Sequence, residues 1–202
     1  MQNHHKLPIV EEFYTLQGEG HFSGHAAYFI RLAGCDVGCP WCDTKVSWNA
    51  SEHSYKTVET LVSNAAECPA KFVVITGGEP LMHNLDYLCI ELKSAGIKTS
   101  LETSGAYELS GLWDWICLSP KTHKAPLPAI FEMANELKIV ISDVKDLEWA
   151  MENAGKVNSS CLLYLQPEWS VFRTILPVIV EFVKKNPRWR ISLQSHKFMR
   201  IP

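Results

Sequence analysis

The chain has 202 residues, a length that is enough for one domain with a full core. Its formal net charge is −3, and 20% of its residues are charged. No run of like charge supplies the basic stripe that a phosphate backbone needs, so we do not expect nucleic acid as a partner. Residues 1–6 lack the apolar segment of a secretory signal, and the longest uncharged apolar run, 174–180, is too short to cross a bilayer. We therefore expect a single cytoplasmic domain, 1–202, that does not bind a membrane.

Short apolar runs alternate with amphipathic segments along the chain. Residues 7–13 alternate only weakly and lead into a glycine-containing loop at 16–20. The apolar runs predict strands at 27–32, 71–76, 97–101, 115–118, 137–141, 161–165 and 190–194. The amphipathic segments predict helices at 57–66, 84–95, 143–154 and 171–185, with Thr57 as an N-cap, Gly96 as a C-cap and Pro177 as a kink or restart.

This alternation predicts an α/β fold with a parallel sheet and right-handed crossovers. Five or six such units in so short a chain favour an incomplete, TIM-like β/α barrel. The strand ends carry polar residues together with glycine or proline, and parallel strands bring their carboxyl ends to one mouth. These ends are Gly34-Cys35, 76–80, 102–105, 119–121 and 166–168. Their convergence predicts an active site.

Cys35, Cys39 and Cys42 lie within eight residues, in a loop that contains glycine and proline. A structural zinc site needs four ligands, and no fourth cysteine lies at a matching distance. A [4Fe-4S] cluster held by three thiolates keeps one iron open for a ligand, so the cluster is favoured over zinc. A disulfide is less favoured, because three thiols cannot all pair and nothing suggests export. The other four cysteines lie among apolar neighbours and have no assigned function.

The cysteine loop at one strand end, with Gly77-Gly78-Glu79-Pro80 at the next, resembles the radical S-adenosylmethionine superfamily. The resemblance implies that the three cysteines hold a [4Fe-4S] cluster whose open iron chelates S-adenosylmethionine. Reductive cleavage of that sulfonium gives methionine and a 5'-deoxyadenosyl radical. Trp41 is expected to pack beside the cofactor, and Glu79 or its neighbours to receive the methionyl amino group.

A narrower resemblance extends from end to end. It rests on Leu16-Gln17-Gly18-Glu19-Gly20, on 29–35, on Cys42-Asp43-Thr44, on Gln194-Ser195-His196-Lys197 and on the final Ile201-Pro202. These segments resemble the 7-carboxy-7-deazaguanine synthase family. That family converts 6-carboxy-5,6,7,8-tetrahydropterin to 7-carboxy-7-deazaguanine with loss of ammonia, on the route to queuosine and other deazapurines.

The resemblance also implies site residues. Arg31 would pair with the substrate carboxylate, which agrees with its position as the one charge in an apolar strand. Thr44 would bind Mg²⁺. The other expected substrate contacts are Leu16, Gln17, Gly18, Thr76 and the terminal carboxylate of Pro202, with a weaker role for His196. The expected S-adenosylmethionine contacts are Gly78, Ser119, Pro120, Lys121, Gln166, Pro167, Glu168 and Trp169.

Glu102 and Glu19 are expected to bind a ligand or to transfer a proton during the rearrangement, although either could instead hold a loop. The expected partners are an electron donor such as flavodoxin or ferredoxin, and a second copy of the chain, because a truncated barrel leaves sheet edge to cover. Two alternatives remain open at this point. They are a glycyl-radical-enzyme activase, which shares the cysteine and Gly-Gly-Glu-Pro motifs, and a zinc-binding interaction module.

Overall fold

A computed structural model describes residues 5–202. The segment 1–6, from which the absence of a secretory signal was predicted, lies mostly outside the described residues. The strands are Lys6–Leu16 (β1), Ala26–Leu32 (β2), Tyr55–Thr57 (β3), Phe72–Gly77 (β4), Lys98–Thr103 (β5), Trp115–Leu118 (β6), Glu136–Ile141 (β7), Leu162–Pro167 (β8) and Trp189–Ile191 (β9). The α-helices are Val58–Ala66 (α1), Asp86–Ser94 (α2), Pro128–Met133 (α3), Asp146–Ala154 (α4), Phe172–Lys185 (α5) and Ser195–Met199 (α6).

The nine strands found in residues 5–202 form one sheet in the order β3-β1-β2-β4-β5-β6-β7-β8-β9. The pairs β1–β2 and β1–β3 are antiparallel, and every pair from β2 to β9 is parallel. Because β3 and β9 stand at opposite edges, the sheet is open rather than closed into a barrel. The predicted α/β fold with an incomplete barrel is confirmed.

The two faces of the sheet have different surroundings. One face and the helices enclose the main core, which contains the buried side chains of Ile75, Leu101, Leu118 and Leu137. On the other face, a small cluster of Ala27, Phe29 and Val74 lies near the amino ends of the strands. Alternation along each parallel strand thus sends one set of side chains into the core and leaves the other set facing the inside of the partial barrel.

Several local predictions are confirmed. The Thr57 side chain accepts a hydrogen bond from the Thr60 N–H and caps α1, and Gly96 adopts a positive φ of 70° just after α2. Helix α5 contains Pro177 and continues to Lys185, so the proline does not restart the helix. In the part of the chain that the structure describes, no helix is long and apolar enough to span a membrane.

The structure adds a strand near the start of the chain and changes the prediction near its end. The weakly alternating segment 7–13 belongs to β1, an 11-residue strand that pairs with β2. Its alternation is weak because it contains polar residues such as Glu11 and Glu12. Pairing with β2 and β3, rather than its own hydrophobic pattern, makes this segment a strand. The last strand is Trp189–Ile191 instead of the predicted 190–194, and residues 195–199, for which no element was predicted, form α6.

Leu101→Ala tests the core between sheet and helices. Leu101 is fully buried, so we expect the substitution to lower the free energy of unfolding of the metal-free protein by about 2–5 kcal/mol in urea titrations. Ile90→Ala is the control, because Ile90 is 54% exposed on α2 and its loss should change stability by about 0.5 kcal/mol or less. Equal effects of the two substitutions would contradict the assignment of this core.

Candidate active site

A cavity of about 900 Å³ opens at the carboxyl ends of the parallel strands. All five predicted strand ends contribute to it, because a parallel sheet places those ends along one edge. The predicted site residues that line it are Leu16, Gln17, Gly18, Glu19, Arg31, Cys35, Cys39, Cys42, Thr44, Thr76, Gly78, Glu102, Ser119, Lys121, Gln166, Pro167, Glu168, Trp169, His196 and Pro202. Pro120 is buried and does not line the cavity.

The register of three strands explains how a polar row crosses the inside of the partial barrel. Arg31 on β2 pairs with Thr76 on β4, and Ile75 pairs with Leu101 on β5, so Thr76 and Glu102 follow at the next position. The Thr76 hydroxyl donates to Glu102 Oε2 at 3.0 Å. Arg31, Thr76 and Glu102 therefore form one line across the cavity.

The cysteine loop leaves β2 and is anchored by backbone hydrogen bonds. Gly34 N–H donates to Ser47 O at 2.7 Å, and Cys35 N–H donates to Trp48 O at 3.1 Å. Cys39 is buried, and burial raises the pKa of its thiol, with the nearby Cys42 and Cys35 adding to that rise. The three thiols are therefore close neighbours that face one cavity.

The donor set fits a cluster better than a single ion. In residues 5–202, no group of three or more His, Cys, Asp or Glu side chains converges on one metal position. Thiolates that hold a [4Fe-4S] cube bind different iron atoms, so they need not converge as the ligands of a tetrahedral zinc do. Three thiols on one loop, all facing the cavity, meet the requirement for a cluster with one open iron.

Gly77 and Gly78 bring the end of β4 against the cysteine loop. Gly78 N–H donates to Leu32 O at 2.9 Å, and Glu79 N–H donates to Gly34 O at 2.8 Å. A Cβ on Gly78 would lie 2.2 Å from Gly34 O, and Gly77 has a φ of 138°. The glycines thus permit close packing between two backbone segments.

Glu79 joins two strand ends. Its carboxylate is almost completely buried and accepts hydrogen bonds from Leu81 N–H, the Thr103 hydroxyl and both the N–H and hydroxyl of Ser104. With four donors already in place, this carboxylate is suited to fixing the loops after β4 and β5. The suggestion that Glu79 itself receives a methionyl amino group is thus not supported by its contacts, although its neighbours line the cavity.

Glu19 and Glu102 share a buried cation. Lys138 Nζ lies 2.5 Å from Glu19 Oε2 and 3.8 Å from Glu102 Oε1. Burial opposes the ionisation of Glu19, but the Lys138 ammonium outweighs it and lowers the pKa of Glu19 to about 2. A carboxylate that stays ionised is a strong hydrogen-bond acceptor and a poor proton carrier near neutral pH.

The loop after β1 is tied into the same network. Gln17 Nε2 donates to Glu102 Oε1 at 3.0 Å, while Glu19 N–H donates to Gln17 Oε1 at 3.0 Å. Gln194 Nε2 donates to Glu19 Oε1 at 2.9 Å. These bonds join the β1–β2 loop to β5 and to the segment after β9, so the network bridges elements that are distant in the chain.

Arg31 and Thr44 flank the cysteine loop. Arg31 Nε donates to Glu11 Oε1 at 2.8 Å, and in residues 5–202 no partner is found for its two terminal nitrogens. The Thr44 hydroxyl donates to Asp43 Oδ1 at 3.2 Å, and Thr44 N–H donates to Cys42 Sγ at 3.4 Å. Both side chains therefore reach the cavity from positions next to the cysteines.

Another part of the cavity wall combines aromatic and polar side chains. Lys121 Nζ donates to Ser119 Oγ at 2.7 Å and lies 5.6 Å from the centre of the Trp41 ring. Burial lowers the pKa of Lys121. Gln166 Oε1 accepts from the Ser192 hydroxyl at 2.7 Å, which fixes the amide of Gln166.

The C-terminal segment covers the cavity from the other edge of the sheet. Ser195 N–H donates to Gly18 O at 2.9 Å, and a Cβ on Gly18 would lie 2.1 Å from His196 Nδ1. Lys197 Nζ lies 3.0 Å from Asp43 Oδ2. The segment after β9 therefore contacts both the β1–β2 loop and the cysteine loop, and Pro202 lines the cavity beside them.

Lys138, Gln194, Asp43 and Lys197 also line the cavity, although no role there was assigned to them from the sequence. Lys138 could have been found, because it is the one cation in the apolar strand Glu136–Ile141 and the same argument identified Arg31. The other three lie in segments quoted only for their resemblance, and nothing in their spacing indicates that Lys197 and Asp43 meet.

Gly78→Ala tests the contact between β4 and the cysteine loop. The new methyl group would overlap Gly34 O, so the loop must move, and we expect less iron per protein after anaerobic reconstitution and a lower melting temperature. Gly155→Ala is the control, because there the nearest atom would lie 3.4 Å from the added Cβ. Normal iron content in Gly78→Ala would show that the loop does not depend on this contact.

The comparisons with known proteins agree with this geometry. Residues 29–118 match the model of the Radical SAM superfamily. Two 7-carboxy-7-deazaguanine synthases are each 50% identical: that of Flavobacterium psychrophilum over 97% of this chain and 93% of its own, and that of Synechocystis over 96% and 93%. The 7-carboxy-7-deazaguanine synthase of Escherichia coli K12 is 34% identical over 97% of this chain and 99% of its own.

A solved structure shares the fold. The crystal structure of QueE from Escherichia coli superimposes with a TM-score of 0.85 at 33% identity and covers 95% of both chains. Identity of this level over nearly the whole length, together with the cysteine loop and the polar cavity, shows the family. The chain belongs to the 7-carboxy-7-deazaguanine synthase family of radical S-adenosylmethionine enzymes.

Proposed function

We propose that this chain is a radical S-adenosylmethionine lyase that converts 6-carboxy-5,6,7,8-tetrahydropterin to 7-carboxy-7-deazaguanine and ammonia. The observation that carries the proposal is the meeting of three thiols, Arg31 and the polar row of Thr76 and Glu102 in one cavity. The reaction needs a radical generator and a site for a small anionic heterocycle side by side, and the residues of this cavity are suited to hold both. The whole chain, 1–202, would act as one catalytic domain.

Arg31 would bind the substrate carboxylate. Its terminal nitrogens offer parallel N–H donors, and a guanidinium and a carboxylate match in a bidentate pair. The Glu11 contact at Nε would hold the guanidinium in place without using those terminal donors. The substrate carboxylate would then lie next to the cysteine loop.

The pterin ring would lie along the polar row. Leu16, Gln17, Gly18, Thr76 and Pro202 would contact it together with His196, and Glu19 and Glu102 would accept hydrogen bonds from its N–H groups. The proposed proton-transfer role falls to Glu102, because Glu19 is held ionised by Lys138.

Cys35, Cys39 and Cys42 would hold a [4Fe-4S] cluster, and S-adenosylmethionine would occupy the wall formed by Gly78, Ser119, Lys121, Gln166, Pro167, Glu168 and Trp169. When bound, these cofactors supply the 5'-deoxyadenosyl radical that removes a hydrogen atom from C6 of the substrate. The protein's part is to orient C6 toward the cofactor wall and to exclude water. The backbone of Pro120 would support that wall from behind.

Thr44 would help hold Mg²⁺, a hard cation that takes oxygen ligands and leaves positions for substrate oxygens and water. The Thr44 hydroxyl faces the cavity beside the cysteine loop, which would place the ion near the substrate carboxylate. There it would assist the loss of ammonia.

The proposed partners follow from the chemistry and the surface. Radical generation needs one electron, which a flavodoxin or ferredoxin would supply. The oxygen sensitivity of the cluster and the seven free cysteines favour a reducing, cytoplasmic setting. A homodimer would cover part of the open sheet edge and exposed apolar residues such as Phe198.

The proposal is tested by anaerobic turnover. Reconstituted protein with S-adenosylmethionine, Mg²⁺ and a reductant should convert the carboxytetrahydropterin to 7-carboxy-7-deazaguanine, as followed by mass spectrometry, without stoichiometric loss of S-adenosylmethionine. Cys39→Ala should form no product. Cluster-loaded protein that cleaves S-adenosylmethionine but leaves the pterin unchanged would exclude this function.

Arg31→Lys tests carboxylate recognition. The ammonium keeps the charge but cannot form the bidentate pair, so we expect the KM for the pterin to rise by about 10-fold to 100-fold, with a smaller change in kcat. Arg188→Lys, at an exposed position between α5 and β9, should leave both parameters unchanged. If the KM stays constant in Arg31→Lys, the substrate carboxylate binds elsewhere.

A further inference from the structure

Lys138 is a buried cation inside the site to which no contact with substrate or cofactor has been assigned. The residue is 5% exposed, and its side chain projects from β7 and lines the cavity. Leu137 and Ile139, its neighbours on the strand, turn to the opposite face and join the main core. Burying a lysine among apolar neighbours is unfavourable unless carboxylates compensate its charge.

The compensation comes from two different elements. Glu19 on the β1–β2 loop and Glu102 on β5 both lie within 4 Å of Lys138 Nζ. Burial would lower the pKa of Lys138, but Glu102 and Glu19 raise it well above its usual value, and Cys117 and Glu136 are the other titratable groups that act on it. Without the cation between them, two carboxylates that face the same buried position would resist ionising together, because neighbouring like charges disfavour each other's charged form.

Other polar side chains of the cavity also donate hydrogen bonds to these two carboxylates. Gln17 and Thr76 donate to Glu102, and Gln194 donates to Glu19. An ionised carboxylate has about four lone-pair positions, so each of the two retains acceptor capacity beyond these bonds. Both side chains line the cavity, so that capacity is available to a ligand.

We propose that Lys138 is a positioning residue that holds Glu19 and Glu102 as a matched pair of hydrogen-bond acceptors, and thereby makes the cavity select a ligand edge with adjacent N–H donors. This inference rests on the proposed function and deepens it. In the pterin, that edge is the 2-amino group together with the neighbouring ring N–H. A 2-oxo group at the same position would place a lone pair against a carboxylate and leave a buried acceptor unpaired, which is costly.

The test compares two stable ligands, 6-carboxypterin and 6-carboxylumazine, which share the carboxylate and differ in carrying a 2-amino or a 2-oxo group. Their dissociation constants are measured by calorimetry on anaerobic holoprotein with S-adenosylmethionine bound. We expect the unsubstituted protein to prefer the 2-amino ligand by at least about tenfold. We expect Lys138→Met to lose most of this preference, because its two carboxylates repel and one takes up a proton.

Two further variants separate positioning from a merely structural role. Lys138→Arg keeps the charge and should keep the preference even if overall affinity falls. If Lys138→Met does not fold, Lys138→Gln replaces it in the test. The glutamine amide can still donate a hydrogen bond within the network but carries no charge, so the preference for the 2-amino ligand should again fall. Lys145→Met, an exposed lysine beyond the same strand, is the matched control and should behave as the unsubstituted protein.

The outcomes are distinct. Neutral variants that fold, load iron and still prefer the 2-amino ligand as strongly as the unsubstituted protein would overturn this inference alone. An unsubstituted protein that binds neither ligand would overturn the proposed function, and this inference with it. Loss of preference in the neutral variants, with retention in Lys138→Arg, would support the positioning role.

Discussion

The site depends on the close contact between the ends of β2 and β4. Parallel pairing of these strands continues beyond their last residues, since Gly78 and Glu79 donate to the carbonyls of Leu32 and Gly34. Only glycine leaves room for this approach, because an added Cβ on Gly78 would overlap Gly34 O. The contact fixes where the cysteine loop begins, and so fixes the thiols relative to the polar row on the sheet.

Charge balance inside the partial barrel is the second constraint. An open sheet with one face toward a cavity can carry polar side chains there, provided that they satisfy each other. Lys138 satisfies two carboxylates, and the amides of Gln17 and Gln194 complete their hydrogen bonds. The same network connects the first loop, the central strands and the C-terminal segment, so organisation of the ligand site and closure over the cavity are achieved by the same contacts.

Much of the fold and site could be predicted because the relevant signals are local. The runs at 71–76 and 137–141 are apolar and bounded by turn residues, and their strands were found within one or two residues. Strand β1 was missed because it contains Glu11 and Glu12 and is defined by its partners. Gly77 and Gly78 were singled out from the sequence, but their packing against the cysteine loop could not be predicted, since only the folded loop reveals what lies against them.

The sequence by itself determined the thiol loop, the alternation that makes a parallel sheet and the strand-end motifs, because each depends on residues that are neighbours in the chain. Only the tertiary structure decided that Lys138 lies between Glu19 and Glu102, that Glu79 is saturated with donors and that Lys197 meets Asp43. Those contacts join residues that are distant in the chain. Their distances are set by strand register and loop packing, which spacing along the chain does not encode.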